Sequence, residues 1–135
     1  MAMNISGTWL GTYWQDGEPT RFEATFAQGG NTLSGSILDD GFLGEAQLTG
    51  EVVGRSIQFV KRYLTSSITP IVYTGTISEE GDQMTGSWQI DQSRRGVLGR
   101  RQILSGPWEA HRSNDDLMAD LNLRLAQKVP ATVEK

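Results

Sequence analysis

Apolar and polar residues alternate with a period of two along most of the chain, in a unit that recurs. The unit is a large apolar residue, Ser or Thr, Gly, Ser or Thr, and a second large apolar residue. It occurs at 5–9, 33–37, 73–77 and 84–88, with a weaker copy at 48–52. Period-two alternation is typical of a strand with one buried face. The unit therefore predicts strands with hydroxyl residues facing solvent and with Gly sharing the buried face with large apolar side chains.

Eight such runs follow one another, separated by short turns rich in Gly, Asp and Asn. Their ranges are 5–14, 20–27, 32–39, 45–53, 56–64, 71–78, 83–90 and 106–112. Short connections between consecutive strands favour an up-and-down meander, and eight strands can close without free edges. Gly beside large side chains on an inner face suits a small barrel. We predict an all-β fold, an eight-stranded antiparallel up-and-down β-barrel over residues 1–112.

Two segments depart from this pattern. Residues 91–105 form a connector that is long for a compact domain. Near the C-terminus, Ser113 precedes acidic residues that suit the first turn of a helix, and an apolar stripe then recurs at helical spacing at Leu117, Met118, Leu121 and Leu125. We predict one C-terminal α-helix at 113–127, packed on the barrel or capping it, and a tail at 128–135.

Composition excludes several classes of protein. A chain of 135 residues is the usual size of one domain, and the absence of Cys excludes disulfides and thiolate metal sites. A net charge of −4 argues against nucleic acid as the main partner. No apolar run approaches the roughly 20 residues of a membrane span, and the N-terminus lacks the features of a signal peptide. We expect a soluble, cytoplasmic protein with no cofactor and no metal.

Two short motifs carry a resemblance to known barrels. Gly7-Thr8-Trp9 lies on the first predicted strand, and Thr85-Gly86-Ser87-Trp88 lies on the seventh. With the eight-stranded meander, residues 5–112 resemble the calycin superfamily, which includes lipocalins, avidins and fatty-acid-binding proteins. The resemblance implies the barrel fold without assigning one family. Avidins place biotin-binding polar residues directly after Gly-Thr-Trp, and this chain has Leu10-Gly11-Thr12-Tyr13 there.

The same alternation assigns several polar and aromatic side chains to the interior. The candidate ligand-binding residues are Tyr13, Lys61, Tyr63, Tyr73, Trp88 and Arg112. A buried cation needs a charged partner or an anionic ligand, and phenol hydroxyls supply oriented donors. We predict a pocket for a small hydrophobic or amphipathic ligand that carries a carboxylate or similar group. The alternative is a barrel filled by its own aromatic rings, with Lys61 and Arg112 reaching water at the rim.

The remaining titratable residues suggest no catalytic constellation. His111 is the single His of the chain, and the alternation places it outward together with Glu109. No Ser-His-Asp set, metal-ligand spacing or phosphate loop is present. Asp39, Asp40 and Glu45 flank two glycines, and we interpret them as a solvated turn.

The long connector offers a second kind of site. It holds 4 of the 12 Lys and Arg residues, and these candidate partner-binding residues are Arg94, Arg95, Arg100 and Arg101. Arg pairs around a small apolar tip suit an acidic protein partner, although solvated arginines on an extended hairpin would look the same. The apolar stripe of the predicted helix suits either the barrel or a dimer contact in a homo-oligomer.

Three functions follow, in order of preference. The first is non-enzymatic binding of a small ligand in the barrel interior. The second is a protein-interaction module that uses the connector or the helix, with a filled barrel as scaffold. The third is an enzyme such as an isomerase or cyclase, in which Tyr63, Lys61 and Arg112 would carry the chemistry.

Overall fold

A computed structural model describes residues 4–41, 44–65, 69–91 and 103–113, and within them eight antiparallel strands close into one barrel. Each strand pairs with the next along the chain, and the last pairs with the first. The prediction of an eight-stranded up-and-down barrel is confirmed. The strands are β1 (Gly7–Gln15), β2 (Glu18–Gly29), β3 (Thr32–Asp39), β4 (Glu45–Val53), β5 (Ser56–Tyr63), β6 (Ile71–Ile77), β7 (Gln83–Asp91) and β8 (Ile103–Arg112).

Strand β8 begins three residues earlier than the sequence predicts. Ile103, Leu104 and Ser105 pair in register with the last residues of β7. Leu104 is half-buried and packs on the core between two exposed neighbours, so the alternation of β8 continues into the predicted connector. The four connector arginines and the 128–135 tail lie outside the described residues. So does the predicted helix, apart from Ser113, whose backbone N–H donates to the Thr8 carbonyl at 2.9 Å.

The described residues contain no helix that is both long and apolar enough to span a bilayer. The strands follow the predicted alternation of buried and exposed residues. His111 and Glu109 are exposed on the outer face of β8, as predicted. The inner face buries a continuous apolar core that includes all the tryptophans except Trp14.

Stacked and edge-to-face rings fill the middle of the barrel. Phe59 and Tyr73 stack with ring centroids 4.8 Å apart, and Trp108 meets Tyr73 edge-on at 5.5 Å. Phe26 contacts Phe59 at 5.8 Å and Trp9 at 6.3 Å, also edge-on. These are the spacings at which aromatic pairs attract beyond simple area burial. The aromatic core therefore ties β1, β2, β5, β6 and β8 together across the interior.

A pair of glycines makes room for one of these rings. Gly75 on β6 lies directly opposite Gly86 on β7. A Cβ on Gly86 would lie 1.8 Å from the Thr74 carbonyl oxygen, and a Cβ on Gly75 would lie 2.8 Å from the indole of Trp108. That indole donates its N–H to the same Thr74 carbonyl at 2.9 Å. The two glycines thus allow close strand approach and seat the Trp108 ring, which explains the repeated Gly on the buried face.

One end of the barrel is closed by Arg112, and we call it the Arg112 end. The guanidinium lies 5.0 Å from the Trp9 ring centroid. It donates to the backbone carbonyls of Asn4 at 2.7 Å, Ser6 at 3.1 Å and Gly81 at 3.1 Å. These bonds join the start of the chain, the turn between β6 and β7, and the end of β8. Arg112 therefore links three chain segments through its hydrogen bonds.

Candidate functional site

The opposite end of the interior holds a buried ion pair, and we call this the polar end. The Lys61 ammonium donates to both carboxylate oxygens of Asp39, at 2.8 and 2.9 Å. The Lys61 side chain is 0% exposed and that of Asp39 is 1% exposed. Asp39 is the last residue of β3 and Lys61 lies on β5, so the two side chains meet past the intervening strand β4.

Three tyrosines surround this ion pair. The hydroxyl of Tyr13 donates to Asp39 Oδ2 at 3.2 Å, and the hydroxyl of Tyr63 donates to the same oxygen through a short hydrogen bond. The ammonium nitrogen lies 4.9, 4.8 and 5.6 Å from the ring centroids of Tyr13, Tyr63 and Tyr73. Ring faces attract a cation at this range. The ammonium is therefore held by a carboxylate on one side and by aromatic faces on the others.

Burial changes the acidity of every phenol in the cluster. Burial raises the pKa of Tyr63 far above its usual value, and the hydrogen bond to Asp39 and the Asp39 charge raise it further. The pKa of Tyr73 is raised by burial first and by the Asp39 charge second, and the pKa of Tyr13 is raised by the same two causes in the same order. Burial lowers the pKa of Lys61, and the Asp39 carboxylate opposes this change. The three phenols are therefore neutral donors at physiological pH.

The Tyr73 hydroxyl differs from the other two because it has no hydrogen-bond partner within the described part of the chain. Tyr73 is 1% exposed. The charge of Asp39 raises the pKa of its hydroxyl, which places that hydroxyl toward the polar end. A buried hydroxyl without a partner costs about 1–3 kcal/mol, and such groups are rare enough to require a reason. The Tyr73 hydroxyl is therefore a buried donor without an acceptor among the described residues.

Aromatic walls complete the polar end. Trp88 meets the Tyr13 ring edge-on at 6.2 Å, and Phe22 stacks on it at 6.3 Å. The Trp88 indole donates to the backbone carbonyl of Trp14 at 3.0 Å, which fixes the ring against β1. Tyr13 is half-buried, whereas Phe22 and Trp88 are buried. The cluster therefore reaches solvent at Tyr13.

The structure brings five of the six predicted ligand-binding residues together, namely Tyr13, Lys61, Tyr63, Tyr73 and Trp88. Arg112 lies at the other end of the barrel, beside Trp9. Trp9 and Tyr13 are four residues apart on β1, which corresponds to about 13 Å along a strand. Arg112 is half-buried at its rim, as the filled-barrel alternative expected, whereas Lys61 does not reach water.

The interpretation of Asp39 as part of a solvated turn is wrong. Asp40 and Glu45 are exposed, but Asp39 is buried as the partner that Lys61 requires. The signal was present in the sequence, because Gly35, Ile37 and Asp39 share the inward alternation of β3. The position of Asp39 next to a Gly-rich segment nevertheless favours a turn, because polar residues in that setting usually belong to one.

Comparison with known proteins gives no match, so function is inferred from the fold and this cluster. No family model matches the chain, and neither a curated protein nor a solved structure matches it. Across the described ranges, no three His, Cys, Asp or Glu residues lie together in a way that would hold a metal ion. The protein is a closed eight-stranded antiparallel β-barrel, consistent with a calycin-like fold, with a buried Asp-Lys-Tyr cluster at one end.

Proposed function

We propose that the protein is a non-enzymatic binding protein that takes a small amphipathic ligand at the polar end of the barrel. The observation that carries this proposal is the buried hydroxyl of Tyr73, which has no hydrogen-bond partner among the described residues and lies beside the Asp39–Lys61 pair. A ligand with a polar group aimed at that hydroxyl would supply the missing hydrogen bond. Ligand sites combine aromatic lining with a few oriented polar groups, and the polar end has both.

The energetics of the ion pair support the same proposal. Taking an ammonium and a carboxylate out of water costs several kcal/mol per ion, and their attraction returns about that amount. Apolar residues of similar volume would stabilise such an interior as well or better. Asp39 and Lys61 are therefore poorly explained by stability alone, and a role in orienting the surrounding phenols accounts for them.

The resemblance to calycins favours a ligand inside the barrel rather than on its outer face. Access would run past Tyr13, the half-buried member of the cluster. The apolar part of an amphipathic ligand would lie against Trp88 and Phe22, which flank the Tyr13 ring.

Native mass spectrometry of the freshly purified full chain tests this proposal. We expect a copurified small molecule on the wild type, and at least about tenfold weaker binding in Tyr73→Phe, because one lost hydrogen bond of about 1.4 kcal/mol is a factor of ten. Gly29→Ala is the control, since a Cβ there would meet nothing within 4 Å, and it should keep the ligand. A wild type without any bound molecule, or equal occupancy in wild type and Tyr73→Phe, would contradict the proposal.

A second candidate is a protein-interaction surface on the outer face of β1, β2 and β3, which is a different surface from the connector and the helix that the sequence predicts for an interaction module. Leu10 and Leu38 are 37% and 55% exposed and flank Glu23 in register. They line a surface groove of about 420 Å³ together with Arg21 and Asp40. Native mass spectrometry also counts subunits, so a dimer that Leu10→Ser with Leu38→Ser converts to monomer would support a homo-oligomeric module. A monomeric wild type would contradict it.

A further inference from the structure

The charges at the polar end are balanced within the chain. Asp39 contributes one negative charge and Lys61 one positive charge, with 2.8 Å between the ammonium nitrogen and the carboxylate oxygen. The surrounding phenols add none at neutral pH, because burial raises the pKa of each of them. Among the described residues of the cluster, a charged ligand would therefore find no uncompensated partner, and it would also meet a like charge within the ion pair.

The hydrogen-bonding capacity of the polar end is also largely used. The Asp39 carboxylate accepts from the Lys61 ammonium and from the hydroxyls of Tyr13 and Tyr63. The remaining sides of the ammonium face aromatic rings. The group left over among these residues is a donor, the hydroxyl of Tyr73. Within the described cluster, the unmet need is therefore an acceptor for the Tyr73 hydroxyl and not a charge.

From this arrangement we infer that the polar end selects an uncharged ligand with a hydrogen-bond acceptor, such as a carbonyl, amide or ether oxygen, that receives the Tyr73 hydroxyl. This inference rests on the proposed function and names the ligand class for that site. It replaces the carboxylate-bearing ligand expected from the sequence, because Asp39 already supplies the carboxylate that Lys61 needs. An uncharged oxygen also enters an aromatic interior at a far lower desolvation cost than an ion does.

Three fragments of nearly identical shape but different charge show whether the charge of a ligand, and not its shape, decides binding. Acetamide is neutral, acetate is an anion and acetamidinium is a cation, and each is titrated into ligand-free full-length protein while the ring resonances of the tyrosines are followed by NMR. The chain has only three tyrosines, all at the polar end. We expect acetamide to shift Tyr73 with an affinity at least about tenfold higher than that of either ion. Tyr73→Phe should weaken acetamide binding about tenfold, and Gly29→Ala, whose added Cβ would meet nothing within 4 Å, should leave it unchanged.

The outcomes separate this inference from the proposed function. Acetate or acetamidinium binding at Tyr73 as tightly as acetamide would overturn the neutral-ligand inference and leave the binding proposal standing. A copurified molecule that is lost in Tyr73→Phe and proves to be a carboxylate or an amine would do the same. If none of the fragments shifts Tyr73 and no molecule copurifies, both fail.

Discussion

The Lys61 ammonium contacts both carboxylate oxygens of Asp39, and neither side chain is more than 1% exposed. Their strands are not neighbours in the sheet, so the contact spans the intervening strand β4 on the inner face of the barrel. An ion pair in such a setting is stable only while both members are present, since either one alone is a buried charge without a partner.

Removal of one member should therefore be far more harmful than removal of both. We expect Lys61→Met and Asp39→Asn each to lower the free energy of unfolding by about 3–5 kcal/mol. The double variant should lose much less than the sum, because no isolated charge remains. Urea unfolding of the four proteins measures this coupling. Additive losses, or single variants within about 1 kcal/mol of the wild type, would show that Lys61 and Asp39 are not energetically coupled.

Alkaline pH should destabilise the fold through the same cluster. The folded-state pKa of Tyr13, Tyr63 and Tyr73 lies above the ordinary value of 10.0, so above that pH the unfolded chain releases these protons first. Stability is then lost as pH rises, by up to about 1.4 kcal/mol per pH unit for each phenol. The lowered pKa of Lys61 acts in the opposite direction, but it is one group against three.

Because all three tyrosines belong to the cluster, the ultraviolet absorbance of phenolate reports on it alone. We expect phenolate to appear together with the loss of near-ultraviolet circular dichroism, in one cooperative step above pH 10. Tyrosines that titrate near their ordinary pKa while the circular dichroism stays native would mean that they are not buried around Asp39.

The glycine pair on β6 and β7 gives a test of the barrel itself. A Cβ on Gly86 would lie 1.8 Å from a backbone oxygen, whereas a Cβ on Gly29 would meet nothing within 4 Å. We expect Gly86→Ala to lower the free energy of unfolding by about 3 kcal/mol or more, or to prevent folding, because backbone cannot yield as a flexible side chain can. Gly29→Ala should stay within about 0.5 kcal/mol of the wild type. Similar thermal stability for the two variants would contradict the close strand approach.

The strands were predictable because period-two alternation and short turns are local signals that closure of a barrel does not override. Lys61 and Tyr63 were assigned inward on β5 for that reason. Alternation fixes the face of a residue but not its height along the barrel axis, so it predicts an inward Arg112 without showing that Arg112 lies at the end opposite the cluster. Pairing across an intervening strand is not a local signal either, so the sequence does not reveal that Asp39 is the partner of Lys61, although the alternation of β3 points Asp39 inward.

The proposed site depends on the Tyr73 hydroxyl, which has no hydrogen-bond partner in the part of the chain that the structure describes. A matched pair of variants tests this claim most directly. Tyr73→Phe and Tyr63→Phe each remove one buried hydroxyl from ligand-free, refolded protein, and urea unfolding gives both free energies. We expect Tyr73→Phe to be as stable as the wild type or up to about 2 kcal/mol more stable, because the lost group was unsatisfied. Tyr63→Phe should lose about 1.5–3 kcal/mol with its bond to Asp39. A loss in Tyr73→Phe as large as that in Tyr63→Phe would show that the Tyr73 hydroxyl is already bonded within the chain.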